Sequence, residues 1–292
     1  MGKNNYLYMD RKFVESYLPL YQKETFLFFS LLKKYQQNPT ERVVLHYDEI
    51  RAVFPPDESD VTINNILVKF SMKDKNIPIF IYPGEEREVL YPIEDILISD
   101  NNLEMKFTKD AYRLFCDVPK NFFIDLDELF KIKTQRNRMC YDVKMYMSIS
   151  YMYELMNTNS DVYIPFTADY LYFILSVFPW NEEDVINEYL GNMPLYELVT
   201  KRNGGLYGGT TSIWTNVRYF IKQAISNISK YTDLFVDEHV ATVHDVNEYR
   251  RVHGVILKVM RKSKKRLLAQ RRTDIPEFYA NQNALKFLYE HN

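Results

Sequence analysis

Four of the chain's eight glycines, Gly204, Gly205, Gly208 and Gly209, fall within the run "KRNGGLYGGTTSIWTNVRYF" from Lys201 to Phe220. A glycine-rich turn that opens into a helix can cradle a phosphate, because backbone N–H groups and the positive end of the helix dipole point the same way. A P-loop also needs Lys and then Ser or Thr after its last glycine, for the β/γ-phosphates and for magnesium. Here Gly209 is followed by Thr210, Thr211 and Ser212, with no lysine. A dinucleotide fingerprint must follow a buried strand, and "LYELVTKRNGG" is not a β-branched run. What remains is a flexible loop that leads into a helix N-terminus, with Lys201 and Arg202 ahead of it and Thr210, Thr211 and Ser212 as helix caps or donors to a phosphate oxygen.

Other chemistry is sparse. The histidines are His46, His239, His244, His253 and His291, none in a His-x-His pair. With Cys116 and Cys140 far away they do not give zinc spacing. No Gly-x-Ser-x-Gly elbow occurs. The carboxylate groups Asp57/Asp60, Asp125/Asp127 and Glu182/Glu183/Asp184 sit at expected helix starts, where the dipole accounts for them. No catalytic activity, metal or cofactor is expected. Two cysteines, no apolar leader and no run long enough to span a bilayer point to a cytoplasmic protein without membrane contact.

Charge is unevenly spread. The net charge is −2, but residues 1–200 carry 21 basic against 31 acidic residues, and residues 201–292 carry 16 against 8. Between 246 and 272 stand ten basic residues and one acid, Glu248; Arg250, Arg251, Arg261, Lys262, Lys264, Lys265 and Arg266 are among the ten. Such asymmetry suits a polyanion-binding half.

The elements that must position these residues can be read from periodicity. Helices are expected at 21–37, 45–54 and 57–75; Asp57 or Ser59 caps the last, and Ile63, Ile66, Leu67 and Phe70 form its stripe. A hairpin around Pro83-Gly84 follows at 76–93, then a strand at 102–107. Three helices and a hairpin is the order of a winged helix, in which the third helix enters a major groove. "DLDELFKIKTQRNRMCYDVKMYMSISYMYELM" reads as one long helix whose Met and Tyr residues belong to a core or seam. The order then recurs. A helix at 166–178 is capped by Thr167. A helix at 213–231 has the apolar stripe Val217, Phe220, Ile221, Ala224, Ile225 and Ile228. Strands are expected in "DLFVDE" and at 251–260, with 238–249 as the tip between them. Off the apolar stripe of 213–231 lie Thr215, Asn216, Arg218, Tyr219 and Lys222, a face suited to bases and phosphates.

Three stretches carry a family resemblance. "IKTQRNRMCYDVKMY" (132–146), "NVRYFIKQAISNISKYTDLFV" (216–236) and "EYRRVHGVILKVMRK" (248–262) are similar to motifs of the replication initiators of iteron plasmids. The matching positions include Tyr141, Asp142, Val143, Arg218, Phe220, Ile221, Ala224, Ile228 and Thr232-Asp233-Leu234. Asn227-Ile228-Ser229 stands where the family has Glu-Ile-Asn. The resemblance implies a helix-rich α+β fold with two tandem winged helices joined by a long helix. The expected limits are 1–135, a connecting helix at 136–160, a second winged helix at 161–270 and a tail at 271–292. It also implies a sequence-specific double-stranded DNA binder that opens an origin, recruits a host initiator and helicase, and can form a homodimer. A repressor or partition adaptor of the same fold, and a protein–protein scaffold, are the competing roles.

Overall fold

The computed structural model describes residues 5–40, 42–73, 77–81, 87–117, 122–132, 141–156, 162–175, 183–193, 197–198, 210–237, 241–244 and 252–262. Along the chain run β1 (Tyr6–Tyr8), α1 (Arg11–Val14), α2 (Gln22–Gln37), β2 (Arg42–Leu45), α3 (Tyr47–Val53) and α4 (Asp60–Ser71). Next come β3 (Ile79–Ile81), β4 (Glu88–Leu90), β5 (Ile93–Ser99), β6 (Asn102–Phe107), α5 (Lys109–Phe115), β7 (Phe123–Asp125) and α6 (Leu126–Leu129). The remainder is α7 (Tyr141–Leu155), β8 (Val162–Thr167), α8 (Ala168–Leu175), α9 (Glu183–Leu190), α10 (Thr210–Tyr231), β9 (Leu234–Val236), β10 (Ala241–His244) and β11 (Val252–Arg261). The fold is α+β, with helices packed on small antiparallel sheets.

The chain divides into two units. The first holds Met1–Cys140 together with Pro179–Asn192, and the second holds Tyr141–Phe178 together with Met193–Asn292. The first unit therefore includes α9, although α9 lies in sequence between α8 and α10 of the second.

In the first unit α2, β2, α3 and α4 are followed, after β3 and β4, by β5 and β6, and one sheet has the order β2-β6-β5. Each helix starts where the residues prescribe. Glu24 accepts from the Tyr21 backbone N–H at 2.8 Å ahead of α2, and Ser59 accepts from the Thr62 N–H at 3.2 Å ahead of α4. The α4 stripe Ile63, Ile66, Leu67 and Phe70 is buried as the spacing predicts. Arg42 ties all three strands by reaching Asp95 at 3.0 Å and Glu104 at 3.4 Å. The hairpin around Pro83-Gly84 forms as β3–β4, but it is a separate two-stranded sheet. The hairpin that joins β2 is the later one, β5–β6. Its two-residue loop, Asp100-Asn101, has φ of 47° and 63°. Positive φ at both positions is what a type I′ turn needs to match strand twist, and Asp and Asn tolerate it well among non-glycine residues.

The long helix expected across 125–156 is two helices. Asp125 caps α6 through the Asp127 N–H at 2.9 Å. The chain then turns at Ile132, which is buried and whose carbonyl accepts from the Gln22 side chain at 2.8 Å. α6 has already ended at Leu129, with Phe130 as its C-cap.

In the second unit α7, β8, α8, α10, β9, β10 and β11 repeat the plan, with β11 central between β8 and the β9/β10 side. Thr167 caps α8 through the Tyr170 N–H at 3.1 Å. Periodicity gives no strand at β8, since Pro165 interrupts it; β8 is an edge strand, where a missing N–H is tolerated. β10 likewise lies inside the stretch expected to be a tip. Gly254 lets β11 approach β8 closely: a Cβ there would overlap the Phe166 carbonyl oxygen. α7 is buried almost all round from Tyr141 to Ile149, including Met145 and Met147. Its Met and Tyr residues are core of this unit.

α9 is fixed in the first unit by one side chain. Tyr189 is fully buried. Its hydroxyl donates to the Ile81 carbonyl, and its ring meets Phe80 edge-on at 5.4 Å. Arg87 lies 4.9 Å over that ring and donates to the Tyr189 carbonyl at 2.9 Å.

Candidate nucleic-acid interface

The helix α10 is built from two faces. Val217, Ile221, Ala224, Ile225 and Ile228 are buried. Phe220 is half-buried and packs on Tyr141 with ring centroids 4.6 Å apart. On the opposite face Thr215, Arg218, Tyr219, Lys222 and Gln223 are exposed. Neither Arg218 nor Lys222 pairs with a carboxylate among the described residues. An unneutralised cation on a rigid helix keeps its charge available to a polyanion.

The exit of α10 is locked at the matched run Thr232-Asp233-Leu234. The Thr232 hydroxyl donates to the Ile228 carbonyl at 2.9 Å and accepts from the Leu234 N–H at 3.2 Å. Ser229 clasps the first strand of the hairpin side, donating to the Val236 carbonyl at 3.0 Å and accepting from its N–H at 2.9 Å. Asn227 donates to buried Asp142 at 2.7 Å and so ties α10 to α7. These bonds give Asn227 and Ser229 structural work, although both differ from the family motif. Burial pushes the Asp142 carboxyl above its ordinary value, and the bond from Asn227 offsets that only in part.

Arg261 and Lys262 serve the same corner. Arg261 bridges Asp233 at 3.0 Å and Glu154, and its guanidinium lies 5.7 Å over the Tyr153 ring. Burial works against its charge, but Asp233 and Glu154 outweigh that and hold it above its usual value. The Lys262 ammonium donates to the Thr232 carbonyl. Both cations thus have protein partners.

The remaining predicted positions divide in two. Thr210, Thr211 and Ser212 lie within α10, which begins at Thr210, rather than ahead of it as capping residues would. Their side chains, and that of Asn216, lie outside the described residues. So do Lys201, Arg202, Arg250, Arg251, Lys264, Lys265, Arg266 and the loop glycines. Sequence reading missed Gln223, although its spacing four residues after Tyr219 puts it on the same stripe.

Nucleophile and metal chemistry find little support in the described residues. Burial pushes the Cys116 thiol up to about 11, which keeps it protonated and unreactive at neutral pH. Among the described residues no three His, Cys, Asp or Glu side chains cluster as metal ligands. No helix among them is long and apolar enough to cross a membrane.

No family model matches the chain. No curated protein matches it either. Among solved structures, the crystal structure of selenomethionine derivatives of domains 2 and 3 of RctB is similar over 82% of this chain and 80% of that chain, with a TM-score of 0.33 and 10% identity.

Proposed function

We propose that the chain is a non-catalytic, sequence-specific double-stranded DNA-binding protein, a replication initiator of a plasmid or phage that recruits host replication proteins at repeated sites. One observation carries this reading. The third helix of the second unit is seated by an apolar stripe and turns Arg218 and Lys222, which pair with no carboxylate among the described residues, outward beside Thr215 and Tyr219. Two others support it. In each unit a helix, a strand and two further helices lead to a final strand, β6 or β11, that pairs with both the early strand, β2 or β8, and a later one; that order fits a winged-helix plan. The three motif stretches resemble iteron initiators.

In this reading Arg218 touches a base edge or phosphate, and Lys222 touches a phosphate. Thr210 to Ser212 and the basic segment 246–272 add backbone contacts. The test is a binding titration of the full chain against its own upstream intergenic DNA and against random duplex. Preference for the upstream DNA is expected, with a log–log salt slope between roughly −4 and −9. Equal affinity for both, or affinity that ignores salt, would overturn the reading.

A further inference from the structure

The outward face of α10 holds one side chain that neither the motif resemblance nor the cationic pattern singles out. Gln223 is exposed on the stripe with Thr215, Arg218, Tyr219 and Lys222. From Thr215 to Gln223 a helix rises about 12 Å, close to the width of the B-DNA major groove. Among the described residues Gln223 is the exposed amide on this stripe; Asn227 is half-buried and bonds Asp142.

Its orientation is set. One N–H of the Gln223 amide donates to the Tyr219 hydroxyl oxygen at 3.0 Å. Tyr219 is in turn braced edge-on against Phe220, with centroids 5.9 Å apart at 64°. With the nitrogen held toward the tyrosine, the amide has a second N–H and its carbonyl oxygen left to offer. That is one donor and one acceptor, side by side. In the major groove adenine presents the complement, N7 as acceptor and N6 as donor. Guanine presents two acceptors, N7 and O6, and would face the amide oxygen with a lone pair. Arg218 and Lys222 cannot select adenine in this way, because neither has an acceptor for its N6 amine.

We infer that Gln223, oriented by Tyr219, reads an adenine in the bound site, with Gln223 the specificity-determining residue and Tyr219 a positioning residue. The inference rests on the DNA-binding reading above. It adds a base identity to that reading, and the cations then supply mainly affinity.

The experiment is selection from a pool of random duplexes by the full chain, followed by comparison of the enriched sites for wild type, Gln223→Ala and Tyr219→Phe. Both residues are exposed, and thermal melting checks that each variant folds. Wild type is expected to require adenine at one position. Gln223→Ala is expected to lose that requirement by about tenfold or more while keeping the rest of the site. Tyr219→Phe keeps the ring but not the hydroxyl, and is expected to keep the same preferred base with weaker discrimination. An unchanged site in Gln223→Ala, or a wild-type site with no required adenine, overturns the inference and leaves DNA binding standing. A wild type that enriches no sequence overturns both.

Discussion

The helices α4 of the first unit and α10 of the second share a plan and differ in what they present. Inward they are alike: α4 buries Ile63, Ile66, Leu67 and Phe70, and α10 buries Val217, Ile221, Ala224, Ile225 and Ile228. Outward they part. α4 and its C-cap expose Asp60, Val61, Asn64, Asn65, Val68, Lys69 and Met72, with Val61 at 71% and Met72 at 75%. Just past its end, Lys73 is held by Glu24 at 2.6 Å and lies 4.6 Å over the Tyr21 ring. The α10 face is polar and cationic. The buried stripe makes each helix part of a fold, while the outer face is free to differ. The acidic first 200 residues agree with this division.

The largest expected effect falls where the helices are alike. Leu67→Ala in α4 and Ile225→Ala in α10 should each destabilise its own unit by about 2–5 kcal/mol, read by denaturant unfolding. Markedly unequal costs would mean the two cores are not equivalent. The next effect falls where they differ. Arg218→Ala with Lys222→Ala should cost DNA affinity by about 1–3 kcal/mol and flatten the salt slope by about one for each phosphate no longer neutralised. Lys69→Ala should leave both unchanged, and an equal loss would break the asymmetry.

A smaller effect concerns the seat of α10. Asp142 has a folded-state pKa above its unfolded one, so the folded unit binds a proton more readily than the unfolded chain. Its contribution to stability is therefore greatest below the ordinary carboxylate value of 3.8 and is lost as pH rises through the raised value. Asp142→Asn keeps an acceptor for Asn227 and removes the charge. Thermal melting across acid to neutral pH should show wild type losing ground to this variant as pH rises through that window. Parallel curves would show that Asp142 titrates normally.

What sequence revealed and what it hid follow from distance along the chain. The stripes of α4 and α10, the caps at Ser59 and Thr167 and the hairpin at Pro83-Gly84 depend on neighbours within a few residues, and all were legible. The end of α6 at Leu129, followed by an Ile132 carbonyl that bonds Gln22, 110 residues away, was not. β8 was hidden because Pro165 mimics a strand breaker, and only the sheet shows that it lies at an edge. At the site, Arg218 and Lys222 stood out by charge. Gln223 carries no charge, and its orienting bond to Tyr219 becomes visible only when rotamers are known.

The place of α9 in the first unit has a consequence for how the chain is made. The socket for Tyr189 is formed by Phe80, Ile81 and Arg87, and Arg87 precedes Tyr189 by 102 residues. At 5–20 residues per second, a ribosome takes about 5–20 s to cover that interval. During it β8 and α8 of the second unit are synthesised while the first still lacks its last helix. The two units are therefore interleaved in time as well as in sequence. No single cut in the chain separates them cleanly: a fragment ending before 183 leaves the Ile81 carbonyl without its tyrosine, and a fragment starting at 141 carries Tyr189 without its socket.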